Sequence, residues 1–447
     1  MLRRYSMPVL LSGAVAVAYA SSFSGVFQFD DYKVIVDYAP VHSVQGWLGD
    51  LGGLRPLLKL SYALNWRAGM DTFGFHVFNL LVHLVNAGLV YALALAFGRR
   101  CLPLRDWRWP ALAAALLFAL HPVHSEAVTY ISGRSSSLMT LFYLAALWTY
   151  ERWTQGEKGM ASRLLAPCLF VLAVLVKESA MMFPLALLVW EWSCRTPWRT
   201  VVARQWPFWL LSALGALVLL LHPGYSALMW DSLQSRNLHD GFLTQLYGAS
   251  MLLGKLLWPV ALNIDPDLPL IQDAGTVWPQ LAGLALLLAW AWRSRATRPW
   301  ISLGLAWMMV HLLLLNTVFP RADIANERQL YWADWGLFLM FAVELENGLK
   351  KHLASGVMAL AVCALALGTV MRNGVYRSEI ALWEDTAANS PHKARAHNNL
   401  GYAYRLAGRN AEAEQAYGRA LLLQPDYVKA NNNLAALHGV TDGAVNE

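Results

Sequence analysis

Hydrophobic runs long enough to cross a bilayer recur from the N-terminus to about residue 372, and no other feature restricts the fold as much. A helical crossing needs about 20 mainly apolar residues, and in hydrocarbon every backbone N–H and C=O must find a partner within the chain. The expected class is therefore all-α, a polytopic membrane helical bundle. Composition agrees: 57% of the 447 residues are hydrophobic, only 14% are charged, and the mean hydropathy is +0.37. A soluble domain carries about 25% charged residues. The same numbers exclude disorder and a collagenous or disulfide-stapled scaffold. The 21 Trp and 17 Tyr suit membrane–water interfaces. Cys101, Cys168, Cys194 and Cys363 show no metal-ligand spacing and read as unpaired thiols.

Candidate spans lie near 7–27, 73–98, 110–125, 136–151, 163–177, 180–193, 207–222, 279–293, 299–318, 335–348 and 353–372, about eleven in all. Met1-Leu-Arg-Arg before the first run reads as a retained signal-anchor, because membrane segments continue directly after it. The segment 247–262 contains Lys255 and Pro259 and is expected to lie at the interface or dip in without crossing. With that assignment the clusters Arg3/Arg4, Arg99/Arg100/Arg105/Arg108, Arg152/Lys158/Arg163, Arg195/Arg199/Arg204, Arg293/Arg295/Arg298 and Lys350/Lys351 all fall on one, cytoplasmic, side. The polar stretch 28–72 and the C-terminal tail then share the opposite face. The net charge of +6 is topology information and does not point to nucleic acid.

After about Arg372 the composition becomes that of a soluble helical module, which sets expected domains of 1–372 and 373–447. Pro391 and Pro425 are 34 residues apart, and Asn398-Asn399-Leu400 recurs as Asn432-Asn433-Leu434 at the same distance. That is the tetratricopeptide period. A repeat begun at Ala394 puts Leu400, Gly401, Tyr404, Ala413, Tyr417, Ala420 and Pro425 on the packing positions. About three repeats bury a continuous core, so so short an array is expected to lean on the membrane domain or a partner.

Several polar constellations could carry chemistry. Phe29-Asp30-Asp31-Tyr32 follows the first span; two adjacent carboxylates there are either a solvated pair or a site where burial and like charge raise one toward a useful base. His76, Asn79, His83 and Asn86 share one helical face, as interhelical glue or, for His76, within reach of a ligand. His121-Pro-Val-His124-Ser-Glu126 precedes Gly133-Arg134; the HExxH zinc spacing is absent, and a polar pocket or a Glu126–Arg134 pair is the simpler reading. Lys177-Glu178 interrupts two apolar runs and marks a corner open to water, holding a phosphate or merely pairing with each other. Arg321, Asp323, Glu327, Arg328 and Tyr331 form a second charged patch, and Arg55-Pro56 a third basic candidate.

Taken in order, Phe29-Asp30-Asp31, Arg55-Pro56-Leu57, His76-x-x-Asn79 with His83-x-x-Asn86, HPVHSEAV at 121–128, Gly133-Arg134, Val176-Lys177-Glu178 and Arg328-x-x-Tyr331, followed by a tetratricopeptide tail, resemble a bacterial member of the transmembrane-and-tetratricopeptide O-mannosyltransferases, the TMTC family of GT-C glycosyltransferases. The resemblance implies a bacterial inner-membrane enzyme. It would move a sugar, mannose by family, from a polyprenyl phosphate to a protein Ser/Thr hydroxyl on the extracytoplasmic face, with inversion. It implies Asp30 or Asp31 as base and Lys177, Arg328, Arg55 and Arg134 as phosphate ligands. His76, His121, His124, Glu126, Glu178 and Tyr331 complete the polar site. No cofactor is required by this chemistry, although an acidic pair could recruit a divalent cation. The tail is expected to bind acceptor or partner protein. An oligosaccharyltransferase of the O-antigen-ligase kind shares only the outline, and a transporter or scaffold leaves the intramembrane charges unexplained.

Overall fold

The computed structural model describes residues 2–156, 159–235, 237–314 and 324–439. Among them there is no strand. The main helices are α1 (Leu2–Tyr19), α2 (Pro56–Ala68), α3 (Thr72–Cys101), α4 (Arg108–Leu120), α5 (Arg134–Thr154), α6 (Gly159–Val176), α7 (Phe183–Ser193), α8 (Trp198–Leu221), α9 (Leu238–Leu257), α10 (Trp278–Ser294), α11 (Pro299–Met309), α12 (Trp335–Gly348) and α13 (Lys351–Val375). The tail adds α14 (Glu379–Asn389), α15 (Ala394–Leu406), α16 (Asn410–Leu423) and α17 (Val428–Leu437).

Helices α3, α4, α5, α7, α11 and α12 form the inner bundle, with α6 packed along α5. Trp107, Trp190, Trp307 and Trp335 are fully buried within it. Gly304 and Gly336 let α11 and α12 touch along their backbones, since a Cβ on Gly304 would stand 2.8 Å from the Gly336 carbonyl oxygen. Small residues at such a contact supply the van der Waals packing that holds helices together in lipid. By contrast α8, α10 and α13 turn apolar side chains outward; Leu221, Leu286 and Leu360 are 74%, 71% and 73% exposed, as suits a lipid-facing surface.

Eleven crossings are not found. Among the described residues four helices are long and apolar enough to span, namely 72–101, 198–221, 274–294 and 351–375, and a bent pair at 108–128 makes a fifth. Shorter apolar helices lie at 9–24, 161–176 and 299–313. The reason is that an apolar run and a spanning helix are different things. The run at 110–125 breaks at His121-Pro122 with a 51° bend, and Lys177 ends α6 before α7 begins at Phe183. Such interrupted segments are hydrophobic all round because protein covers them.

The stretch 28–72, polar in sequence, does not trail as a loop. It folds into short helical turns at 32–36, 39–42 and 44–49 and then α2, which packs over the ends of α3, α5 and α6. The tail docks on the same end. Asp265 pairs with Lys393 and Arg395, and Asn263 donates to Ser390 Oγ at 2.6 Å. Within the tail α15 and α16 pair closely, burying Gly401, Ala413, Tyr417 and Ala420. The segment 247–262 is the second half of α9 and the turn after it.

Candidate active site

The chain leaves α1 through a short turn and reaches Phe29, which adopts the left-handed conformation at φ +48°. Few non-glycine residues do so, and they persist only where the surroundings over-determine them. Here the surroundings are a set of bonds to Asp31 and its neighbours. The fully buried Asp31 carboxylate accepts the Gln28 N–H at 3.0 Å on Oδ2 and the Ser132 N–H at 2.7 Å on Oδ1. Burial pushes its carboxyl up to about 7, against the two N–H groups that pull it down. Asp30 is half-buried, and its own N–H donates to Tyr130 Oη at 3.0 Å.

Three cations stand near this loop, each held by a partner. Arg55, also left-handed at φ +58°, donates from Nε and Nη2 to the two oxygens of Glu178 at 3.0 and 2.8 Å. A guanidinium has five N–H donors, and Glu178 takes two of them. Arg328 gives its backbone N–H to Glu126 Oε2 at 2.9 Å, with its Nε 3.4 Å from Oε1. Lys177 donates to Ser136 Oγ at 2.8 Å and lies 5.1 Å over the Trp332 ring. Glu178 and Glu126 thus each reach an arginine far away in sequence. Gly133 makes the Glu126 corner possible, because a Cβ there would stand 2.0 Å from the Glu126 carbonyl oxygen.

Sequence reasoning missed Tyr62, whose ring lies 5.0 Å from the Arg134 guanidinium. Tyr62 of α2 is 2% exposed, and its Oη has no hydrogen-bond partner among the described residues. The charges that act on its phenol are those of Arg134, Asp31, Arg55 and Arg328, and burial keeps the phenol protonated. The only sequence signal is that Leu58, Ser61 and Tyr62 recur at helical spacing, which gives α2 an inner face.

Other residues singled out in the sequence serve the bundle. Arg134 is fully buried and spent on Asn79 Oδ1 at 2.6 Å, the Ser61 carbonyl at 3.1 Å and the Phe75 carbonyl at 3.1 Å, so it ties α2, α3 and α5 together and has no phosphate-binding geometry. His76 lies against the Gly25 carbonyl at 3.3 Å. His121 bonds the Leu256 carbonyl at 3.0 Å and accepts the Val123 N–H. His124 bonds the Phe118 carbonyl at 2.7 Å and Asp334 at 2.8 Å. Tyr331 Oη sits between His83 at 2.7 Å and Asn86 at 3.1 Å. The polar pocket expected around the two histidines is thus a closed, buried network. Among the described residues no group of three or more His, Cys, Asp or Glu side chains could hold a metal ion. Arg321 and Asp323 lie outside the described residues.

A lateral apolar groove of about 310 Å³ runs between α9, α10 and α11, lined by Leu246, Leu253, Gly283, Leu287, Met308 and Leu312. Its α9 wall leads to the cation cluster, since Lys255 pairs with Glu327 at 2.9 Å, one residue from Arg328.

A tetratricopeptide-repeat model matches residues 394–427. Over most of its length the chain is homologous to protein O-mannosyl-transferases. It is 28% identical to protein O-mannosyl-transferase F38B6.6 of Caenorhabditis elegans, over 94% of this chain and 63% of that protein. It is 28% identical to protein O-mannosyl-transferase TMTC1 of Homo sapiens, over 96% of this chain and 56% of that protein, and 26% identical to TMTC4 of Homo sapiens over 88% and 63%. The chain therefore spans a little more than half the length of these relatives. No solved structure matches.

Proposed function

Starting from this homology, we propose that the protein is a membrane glycosyltransferase of the GT-C kind, moving a sugar, mannose by analogy with its relatives, from a polyprenyl phosphate to a protein Ser/Thr hydroxyl. The observation that carries the reading is that Asp31 is bonded to Ser132, at the corner where Glu126 holds Arg328, with the Arg55–Glu178 pair at the start of α2. Glycosyl transfer needs a base for the acceptor proton and cations for the departing phosphate. Both kinds of group stand at one end of the bundle.

In this reading Asp30 takes the proton from the acceptor hydroxyl as its oxygen attacks the anomeric carbon. Asp31, with both oxygens bonded to backbone N–H groups, fixes the loop that presents Asp30. The C–O bond to phosphate breaks, and Arg55, Arg328 and Lys177 hold the charge that develops on the leaving group. Glu178 and Glu126 orient Arg55 and Arg328. A phosphate monoester leaves without a general acid when its charge is so held, so the step needs no metal. Direct displacement inverts the anomeric centre. The lateral groove takes part of the isoprenoid tail, and the repeat tail receives the acceptor protein. The site faces the extracytoplasmic side of a bacterial inner membrane.

The test is incubation of purified protein and an acceptor peptide with a panel of polyprenyl phosphate sugars, read by mass spectrometry. One donor should label Ser or Thr in the wild type and not in Asp30→Asn. Labelling by none of the panel, with donor binding also absent, would sink the reading.

A further inference from the structure

The acidic loop is gripped from the tail. Gln28 Nε2 donates to the Tyr376 carbonyl at 2.7 Å, and the Phe29 N–H donates to Glu379 Oε1 at 2.9 Å. The Phe29 ring stands edge-on to Trp383 at 5.1 Å, within a small cluster of Tyr130, Ile264, Tyr376 and Leu382. Glu379 and Trp383 are one turn apart on α14, so both face the loop together. The residue they hold is the one in the left-handed conformation, directly before Asp30. The same helix reaches the other half of the site. Asp385 pairs with Arg372 at 2.6 Å, and Arg372 lies 3.9 Å from Glu327, the neighbour of Arg328.

We propose that Glu379 and Trp383 are positioning residues that hold Phe29 in its left-handed conformation and thereby aim Asp30, so that the first helix of the tail is part of the active site. The proposal rests on the reading of the acidic loop as the reactive one. Its physical basis is that a side-chain acceptor and an aromatic wall, both supplied by α14, replace what the loop cannot provide for itself. Without them Phe29 relaxes to a negative φ, which swings the next residue. A displacement of about 1 Å at a reacting group can cost about 10²-fold in rate.

The experiment uses the full chain and steady-state transfer with varied donor. Glu379→Ala and Trp383→Ala should lower kcat by about 10- to 100-fold while the KM for donor stays within about twofold, because the cations are untouched. Glu379→Gln keeps an oxygen to accept the Phe29 N–H, and Trp383→Phe keeps an aromatic edge, so both should recover most of the loss. Because the effect runs through Asp30, Glu379→Ala should add nothing in an Asp30→Asn background. Wild-type kcat in both alanine variants overturns the proposal. So does Glu379→Gln as inactive as Glu379→Ala, since the charge and not the acceptor would then matter. An additive loss in the double variant overturns it while leaving the acidic-loop reading intact. If Asp30→Asn and Asp31→Asn alone turn over at the wild-type rate, it is the acidic-loop reading that fails, and the proposal with it.

Discussion

Asp30 and Asp31 are adjacent in sequence and differ in burial. Asp31 is fully buried with both oxygens accepting backbone N–H groups, and Asp30 is half-buried with its N–H donating to Tyr130 Oη. Asp30→Asn should therefore lower single-turnover transfer by about 10²–10⁴-fold with donor binding retained. Equal turnover in that variant would remove it as base. Asp31 should show itself through pH. Its carboxyl, pushed up to about 7 by burial, keeps a proton in the fold that the unfolded chain releases near its ordinary value of about 3.9. That contribution to stability is complete below about pH 4 and is lost as pH rises through about 7. Activity should run the other way, because the ionised Asp31 carboxylate is the form that accepts both the Gln28 and Ser132 N–H groups and fixes the loop: turnover should climb as pH passes through about 7. In Asp31→Asn the residual activity should lose this limb. A wild-type profile flat through this range would exclude Asp31 from the rate-determining state. The sequence pointed to the pair through two neighbouring carboxylates beside a span. It could not divide their roles, because the partners of Asp31 include a backbone N–H about a hundred residues away at Ser132.

At the level of elements, the cations come from three corners: Arg55 before α2, Lys177 after α6 and Arg328 in the turn before α12. The sequence marked Lys177 as a charge between two apolar runs, Arg55 within the polar stretch 28–72 and Arg328 within a charged patch. What it could not give was pairing. Glu178 goes to Arg55 and Glu126 to Arg328, contacts set by the way the bundle closes. Arg134 carries the same signal yet is a strut, because Asn79, Ser61 and Phe75 close around it. Lys177→Ala and Arg328→Ala should each weaken donor-lipid binding by about 10-fold or more, since charge-assisted bonds to phosphate are about twice as strong as neutral ones. Binding of a radiolabelled donor to the purified variants measures this; undiminished binding in both removes them from the phosphate site. The groove gives an independent test. Gly283 has open space where a Cβ would go, so Gly283→Phe should fill the groove without straining α10. Its KM should rise for a long-chain donor and stay put for a short-chain analogue. An equal effect on both donors would place the isoprenoid elsewhere.

Across the whole molecule, the candidate site and the basic clusters lie at opposite ends of α3. At its first turn Thr72 donates to the Gly25 carbonyl at 2.7 Å, beside the acidic loop. At its last, Arg100 pairs with Glu151 and Glu191, near Arg105 paired with Glu346 and Arg298 with Glu344 on α12. Thirty residues of helix measure about 45 Å, well beyond the hydrocarbon thickness of about 30 Å. One end thus collects most of the arginines of the short loops, and the other carries the acidic loop, Arg55, Lys177, Arg328 and the docked tail. Counting apolar runs overstated the crossings, because a covered helix and a lipid-facing helix have the same hydropathy. Sidedness is a separate expectation, which depends on which ends the charges occupy. Positive loops stay in the cytoplasm, so the site and tail should face outward. A phosphatase reporter that is active only outside the cytoplasm, fused to the C-terminus, should therefore be on. A thiol probe that cannot cross membranes should label a cysteine placed at Asp37 in intact cells and leave one placed at Arg99 unlabelled. The reverse pattern in both assays would put the acidic loop in the cytoplasm, and the donor sugar would then have to be presented from that side.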